Sequence, residues 1–425
     1  MWRALYTAIL YAALPLVLLK LWWRGRREPG YRRHVAERFG EYKFVPPQRE
    51  VLWVHAVSVG EARASAPLVS ALREEFAGHD VLLTCSTAAG RDAAKRIYGD
   101  SVLTAWLPYD YPGSVRRFLE HFQPRLGLLM ETEIWPNLLA ACRAHAVPVV
   151  LANARMSETS ATGYARWSGL VQPAFAGLSA VCAQSEADAG RLAALGATNV
   201  SICGNLKFDV APDPAKEAEG RAWRAALGRP VLLLASTREG EEEILLDALA
   251  GNALEALVVI VPRHPQRFDA VAALAAKAGS VLGRRSRGDM PRQEDRIYLG
   301  DTMGEMAFYY AAADVAVMGG SFMPLGGQNL IEACAAGTAV VVGPSMFNFF
   351  DATRLALEAG AALQAGNAAD AMRAALALLR EPARRAQMGE AGKKLCAQHR
   401  GATERHLAVC RTLLDAGERA WQTKK

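Results

Sequence analysis

The sequence predicts an α/β protein made of two Rossmann-like halves, each a parallel sheet flanked by helices. Three observations predict it. Short apolar runs of strand length alternate with helix-length segments from Val51 to Cys203, the pattern of βαβ units. The alternation breaks at Ala211-Pro212-Asp213-Pro214 and resumes at Val231, which marks a domain boundary. The 425 residues, 51% of them apolar, suffice for two domains with separate cores.

In the first half the strands are expected at Val51–Ala56, Val81–Cys85, Val102–Leu107, Leu126–Met130, Val147–Ala152, Ala180–Ala183 and Val200–Cys203. Parallel sheets bind ligands just beyond the carboxyl ends of their strands, so those positions are the informative ones. His55-Ala56-Val57-Ser58-Val59-Gly60-Glu61 follows the first strand. Glu61 at a helix start either stabilises the first turn, worth about 0.3–1 kcal/mol, or serves as a general base near a hydroxyl. Met130-Glu131-Thr132-Glu133-Ile134-Trp135-Pro136-Asn137 puts two carboxylates and an indole at another strand end, more than surface capping requires. Asn153-Ala154-Arg155-Met156-Ser157 and Gly204-Asn205-Leu206-Lys207-Phe208-Asp209 offer further polar groups to that edge. Lys207 is either a solvated lysine or a cation for phosphate or carboxylate.

The second half is expected to start with strand Val231–Ala235, followed by Ser236-Thr237-Arg238-Glu239-Gly240-Glu241-Glu242-Glu243. Its acids suit a helix first turn. Strand Leu257–Val261 ends in Pro262-Arg263-His264-Pro265, and Ile297–Leu299 leads to Gly300-Asp301-Thr302-Met303-Gly304-Glu305-Met306. Strand Val315–Met318 runs into Gly319–Gly337, with glycine pairs at 319–320 and 326–327 and then Asn329-Leu330-Ile331-Glu332. Asn329 as N-cap with Glu332 three residues on has capping-box spacing. Glycines allow close backbone approach, and a helix start favours an anion such as phosphate. Neither a Walker A loop nor a clean G-x-G-x-x-G fingerprint is present, so those nucleotide sites are not supported. Strand Val340–Val342 precedes Gly343–Phe349, and from Ala368 onward the pattern is helical and basic.

Residues Ala4–Leu19 carry no charge; Leu21-Trp22-Trp23 and then Arg24, Arg26, Arg27, Arg32 and Arg33 follow. The length approaches a bilayer span, and the tryptophans stand where an interfacial belt would lie. Charge after the apolar run is the reverse of a signal peptide and favours a cytoplasmic body. Pro15 leaves open a helix that enters one leaflet only. The net charge of +6 with no dense basic tract suits an anionic substrate or membrane surface and not nucleic acid. Seven scattered cysteines and eight histidines without H-x-H or H-E-x-x-H spacing predict a reducing compartment and no metal centre.

Acids in the first half and glycine-bearing helix starts in the second, across a cleft, is the division of labour of GT-B glycosyltransferases. The motifs then go further. ERFG (37–40), SVGE (58–61), ETEIWPN (131–137), NARMS (153–157), GNLKFD (204–209), STREGEE (236–242), PRHP (262–265), GDTMGEM (300–306), GGQNLIE (326–332) and GPSMFNF (343–349) occur in this order. With them the chain resembles the 3-deoxy-D-manno-octulosonic acid (Kdo) transferases of lipopolysaccharide assembly over nearly its whole length. One position departs: the family usually has histidine where Gln328 stands, and glutamine carries no charge at neutral pH.

The resemblance implies inverting transfer of Kdo from CMP-Kdo to a lipid A precursor (lipid IVA), without a metal or other cofactor, at the cytoplasmic face of the bacterial inner membrane. It implies Glu61 as the base, and Glu131 and Lys207 as stabilisers of the transition state. It implies that CMP is held by Pro262 and Arg263, by Gly304, Glu305 and Met306, and by Asn329, Leu330, Ile331 and Glu332. The organisation expected is an anchor over 1–24, an acceptor-binding domain over 25–210 and a CMP-Kdo-binding domain over 211–425, whose last helix is free to cross back. Two other readings fit the residues alone: a membrane-associated GT-B enzyme using a UDP-sugar, and an anchored GT-B protein without catalysis. A donor comparison separates all three.

Overall fold

A computed structural model describes residues 1–422 except 211, 251–254, 278–281 and 289. The chain forms two compact units, Met1–Val210 with Arg400–Lys425, and Ala211–His399.

In the first unit the strands are β1 (Val51–His55), β2 (Asp80–Cys85), β3 (Leu103–Trp106), β4 (Pro124–Met130), β5 (Val149–Ala154), β6 (Ala180–Ala183) and β7 (Val200–Ile202). Among the described residues they form one seven-stranded sheet in the order β3-β2-β1-β4-β5-β6-β7, parallel throughout. Val54 lies opposite Leu83 on one side and Leu128 on the other. β1 is buried along its whole length, because helices cover both faces of a parallel sheet. Strand side chains alternate between faces: Leu52 and Val54 join one core cluster, Val51 and Trp53 the other.

The second unit carries β8 (Val231–Thr237), β9 (Leu257–Pro262), β10 (Leu282–Arg284), β11 (Ile297–Leu299), β12 (Val315–Met318), β13 (Ala339–Val342) and β14 (Ala362–Gln364). They too form a parallel seven-stranded sheet among the described residues, ordered β10-β11-β9-β8-β12-β13-β14. Two Rossmann-like units of this kind constitute a GT-B fold.

Two features differ from the sequence reading. The edge strands β10 (Leu282–Arg284) and β14 (Ala362–Gln364) contain polar residues or glycine and so present no unbroken apolar run. β5 runs on to Ala154 through an irregularity between Leu151 and Ala154, where Asn153 has φ +51. The C-terminal helix, Ala402–Gln422, crosses back to the first unit, a course the sequence reading leaves open: Ala402, Leu407, Cys410 and Leu414 complete the cluster of Leu52 and Leu128. The N-terminal helix spans Trp2–Arg27, continuing through Pro15. All seven cysteines are free and buried.

Candidate active site

Strand order reverses between β1 and β4 in the first sheet and between β8 and β12 in the second. Loops that leave such a pair at their carboxyl ends diverge and open a crevice. In the first unit these loops carry Glu61 and Glu131.

Ser58 caps the helix Val59–Ala64 by accepting the Glu61 N–H. The Glu61 carboxylate folds back: Oε2 accepts the Val57 N–H at 2.8 Å and Oε1 the Ser58 hydroxyl at 2.9 Å. Burial pushes the Glu61 carboxyl up to about 7, helped by the charges of Glu131 and Glu133 and opposed by the Val57 and Ser58 donors. The stabilising first-turn role and the tuned acid are therefore one residue, and a carboxyl at this level exchanges protons near neutrality.

Glu131 adopts φ +59, its N–H bonded to the Ala152 carbonyl at 2.9 Å. Its carboxylate lies 3.4 Å from Lys207 Nζ, with both side chains 18% exposed. Glu133 Oε2 accepts the Trp135 indole N–H at 2.8 Å and stands 4.0 Å from Nε2 of His55. His55 is fully buried, and burial lowers it to about 4, so it is neutral at pH 7. Burial, with Glu131 adding, raises the Glu133 carboxyl.

Lys207 is placed by a chain of backbone bonds. Asn205 Oδ1 accepts the Lys207 N–H at 3.0 Å, and Asn153 Oδ1 accepts that of Leu206 at 3.0 Å. The Asn153 N–H in turn donates to Nε2 of His406 on the C-terminal helix at 2.9 Å. Among the described residues no set of three or more His, Cys, Asp or Glu side chains is arranged to hold a metal ion. Lys207 supplies a cation beside Glu131.

In the second unit the loop after β12 is pinned from below. Glu241, fully buried, accepts N–H groups of Arg238 (2.9 Å), Gly320 (2.6 Å) and Phe322 (2.9 Å). Glu242, also fully buried, takes the Thr237 hydroxyl at 2.9 Å and Arg267 at 2.8 Å. These acids are loop fasteners, a tighter role than the expected dipole partners. A β-carbon on Gly319 would lie 2.5 Å from the Ser236 carbonyl, so the two strand ends approach as only glycine permits.

Arg238 and Arg263 are half-buried at the ends of β8 and β9. His264 is held below its usual range by burial and then by Arg238, Arg263 and Arg267, which records how densely cations gather there. Pro262 closes β9. Gly304, at φ +81, precedes the helix Met306–Ala312. The Glu305 side chain is engaged by Arg285 (3.0 Å), Lys216 (3.1 Å) and Thr302, and those partners, Arg285 foremost, hold it down to about 2.

The helix after the glycine loop begins at Ile331, with Leu330 as N-cap. Asn329 Oδ1 accepts the Ile331 N–H at 3.1 Å, and its amide donates to Glu332 at 2.9 Å. The expected capping box is thus replaced by a side-chain pair, one residue out of register. Leu330 and Ile331 are buried and offer a ligand only their backbone.

Comparison with known proteins decides what this site belongs to. Residues 33–210 match the family model described as 3-deoxy-D-manno-octulosonic-acid transferase (kdotransferase). The chain is 50% identical to the 3-deoxy-D-manno-octulosonic acid transferase of Bordetella pertussis, over 96% of this chain and 98% of that one. This chain belongs to the Kdo transferase family. The Haemophilus influenzae transferase is 36% identical over 98% of this chain and 99% of its own. A solved glycosyltransferase from Rickettsia africae superposes with a TM-score of 0.57 at 12% identity, over 87% of this chain and 99% of that one. That likeness speaks for the fold alone.

In this Kdo transferase, then, the acids and Lys207 of the first unit converge at one sheet edge, and the arginines and glycine loops of the second converge at another. Reading from sequence missed Arg238, in a motif noticed for its acids, and Arg267, two residues beyond PRHP. It also missed His406, which lies in a helix with no motif.

Proposed function

We propose that this Kdo transferase carries Kdo from CMP-Kdo to the lipid A precursor lipid IVA in a single inverting displacement, with Glu61 as base. The observation that carries the proposal is the Glu61 carboxyl, raised to about 7 beside the Glu131–Lys207 pair. Glu61 takes the proton of the acceptor hydroxyl as that oxygen bonds to the ketosidic carbon of Kdo. The bond from this carbon to the phosphate oxygen breaks, and CMP leaves with the electron pair. The carbon gains oxocarbenium character, as glycosidic centres do. The Glu131 carboxylate suits that developing positive charge, and Lys207 the departing phosphate.

For CMP, the fitting groups are Arg263, with Arg238 and Arg267 beside it, the backbone of Pro262 and of Gly304–Met306, and Asn329 with Glu332. Leu330 and Ile331 contribute through main-chain atoms. Fixed cations neutralise the leaving phosphate, so the reaction as proposed requires no metal. The N-terminal helix, one long and apolar enough to cross a membrane, fits attachment at the cytoplasmic face of the bacterial inner membrane, where lipid IVA is presented. Glu61→Gln tests the reading: turnover of CMP-Kdo with lipid IVA is abolished while CMP-Kdo still binds. Loss of binding together with turnover would overturn the assignment of Glu61.

A further inference from the structure

The length of the N-terminal helix does not say whether it crosses a bilayer: twenty residues rise about 30 Å, which equals the hydrocarbon thickness. Its contacts do say. Tyr6, Leu10, Leu14 and Val17 are half-buried and Leu21 and Gly25 are buried, three or four residues apart, so one face lies against the first unit from early turns to the last.

Near the start, the Trp2 indole sits on Gly169 with no room for a β-carbon between them. The Tyr6 hydroxyl donates to Asp110 Oδ2 at 3.0 Å, and the Tyr111 hydroxyl to the Leu10 carbonyl at 3.1 Å. Near the end, Leu21 belongs to the core cluster of Leu52 and Trp106. A helix crossing the membrane would carry its start to the far side, about 30 Å away. Here both ends rest on one body.

The opposite face is bare and uncharged: Leu5, Ile9, Ala12, Leu16, Leu19 and Trp23 are exposed, again three or four apart. Exposed Arg24, Arg26, Arg27, Arg32 and Arg33 follow it, with Arg26 stacked 3.9 Å above the Trp22 ring. An apolar face ending in tryptophans and arginines matches the acyl boundary and headgroups of an anionic leaflet.

We propose that this helix lies flat in the surface of an anionic bilayer, its bare face in the lipid and its shielded face on the first unit, with all of the chain on one side. This rests on the membrane attachment read above. The docking reaches the site: Asp110, which holds Tyr6, also accepts the N–H groups of Asn137 (3.0 Å) and Leu138 (2.7 Å). These lie in the first turn of the helix Pro136–Ala144, which follows the acid-bearing Glu131–Trp135 loop. The docked helix therefore braces the start of the helix that follows the acid loop.

Because the native cysteines are all buried, Arg3→Cys and Arg27→Cys each add one accessible thiol to the full-length protein. The protein is bound to vesicles of phosphatidylglycerol and phosphatidylethanolamine with its body outside, as checked by protease. A membrane-impermeant maleimide is expected to label both positions from outside to the same extent. Labelling of position 3 only after permeabilisation overturns the proposal, since the helix then spans. Separately, Leu16→Glu with Leu19→Glu is expected to lower co-sedimentation with these vesicles about tenfold. Unchanged co-sedimentation, or a shift from dimer to monomer instead, overturns lipid as the occupant. Neither measurement uses Kdo transfer, so a wrong donor or acceptor leaves both outcomes readable.

Discussion

The backbone N–H of Asn153 is bonded to Nε2 of His406 at 2.9 Å, across 253 residues of sequence. To accept that hydrogen the imidazole must be neutral, with its proton on Nδ1, which donates to the Ala402 carbonyl at 2.7 Å. Burial lowers the His406 imidazole to about 4, so the required form prevails at neutral pH.

His406→Ala strips the partner from a buried N–H, and the cost expected in urea unfolding is about 1–3 kcal/mol. Because Asn153 also holds Leu206, kcat falls as well. His406→Gln, whose amide oxygen can accept, recovers part of both. In the wild type the unfolded chain binds the extra proton between pH 6.5 and 4, so the contribution of His406 is present above 6.5 and is lost as pH falls through that window. A urea midpoint series from pH 7 to 4.5 should show the loss.

For Glu61 the sign is opposite. Its carboxyl moves from 4.5 in the unfolded chain to about 7 in the folded one, so the folded state holds the extra proton between these values. Stability from this group declines as pH rises from 4.5 to 7. Glu61→Gln should therefore raise Tm at pH 8 and do much less at pH 5. In the wild type kcat/KM should rise through an acidic limb near pH 7 as the base form appears.

Glu131→Gln removes a charge that helps to raise Glu61. The acidic limb of kcat/KM should shift to lower pH while kcat drops. A drop in kcat with the limb unmoved would mean that the two carboxyls do not sense each other.

Glu241→Ala leaves the N–H groups of Arg238, Gly320 and Phe322 without their acceptor. At about 1–3 kcal/mol for each buried orphan, the second unit should unfold at clearly lower denaturant. Any folded fraction should bind CMP more weakly by calorimetry, because the glycine loop loses its fastening. Glu241→Gln retains acceptance at one oxygen and should fall between.

Much of this fold was legible because parallel strands buried on both faces are written as unbroken apolar runs, such as Val51–Val54 and Leu257–Val261. Strand ends were legible for the same reason, and with them the places of Glu61, Glu131 and Lys207 in the first unit. What stayed hidden lacks a local signature. β10 and β14 have no unbroken apolar run to mark them. The burial of Glu241 and Glu242 depends on loops that arrive about 80 residues later and 25 residues later. His406 acts through a contact that only tertiary packing creates. The misread cap at Asn329 came from taking a spacing for a geometry: Glu332 lies three residues on, as a capping box requires, yet it meets the amide of Asn329.

The discontinuous first unit has a consequence for biosynthesis. Its core face around Leu52 and Leu128 lacks Leu407, Cys410 and Leu414 until the ribosome has passed the whole of the second unit, Ala211–His399. Nascent chains therefore carry an open apolar flank through the whole synthesis of the second unit. A nonsense codon just before Leu407 would do more harm than its distance from Glu61 suggests.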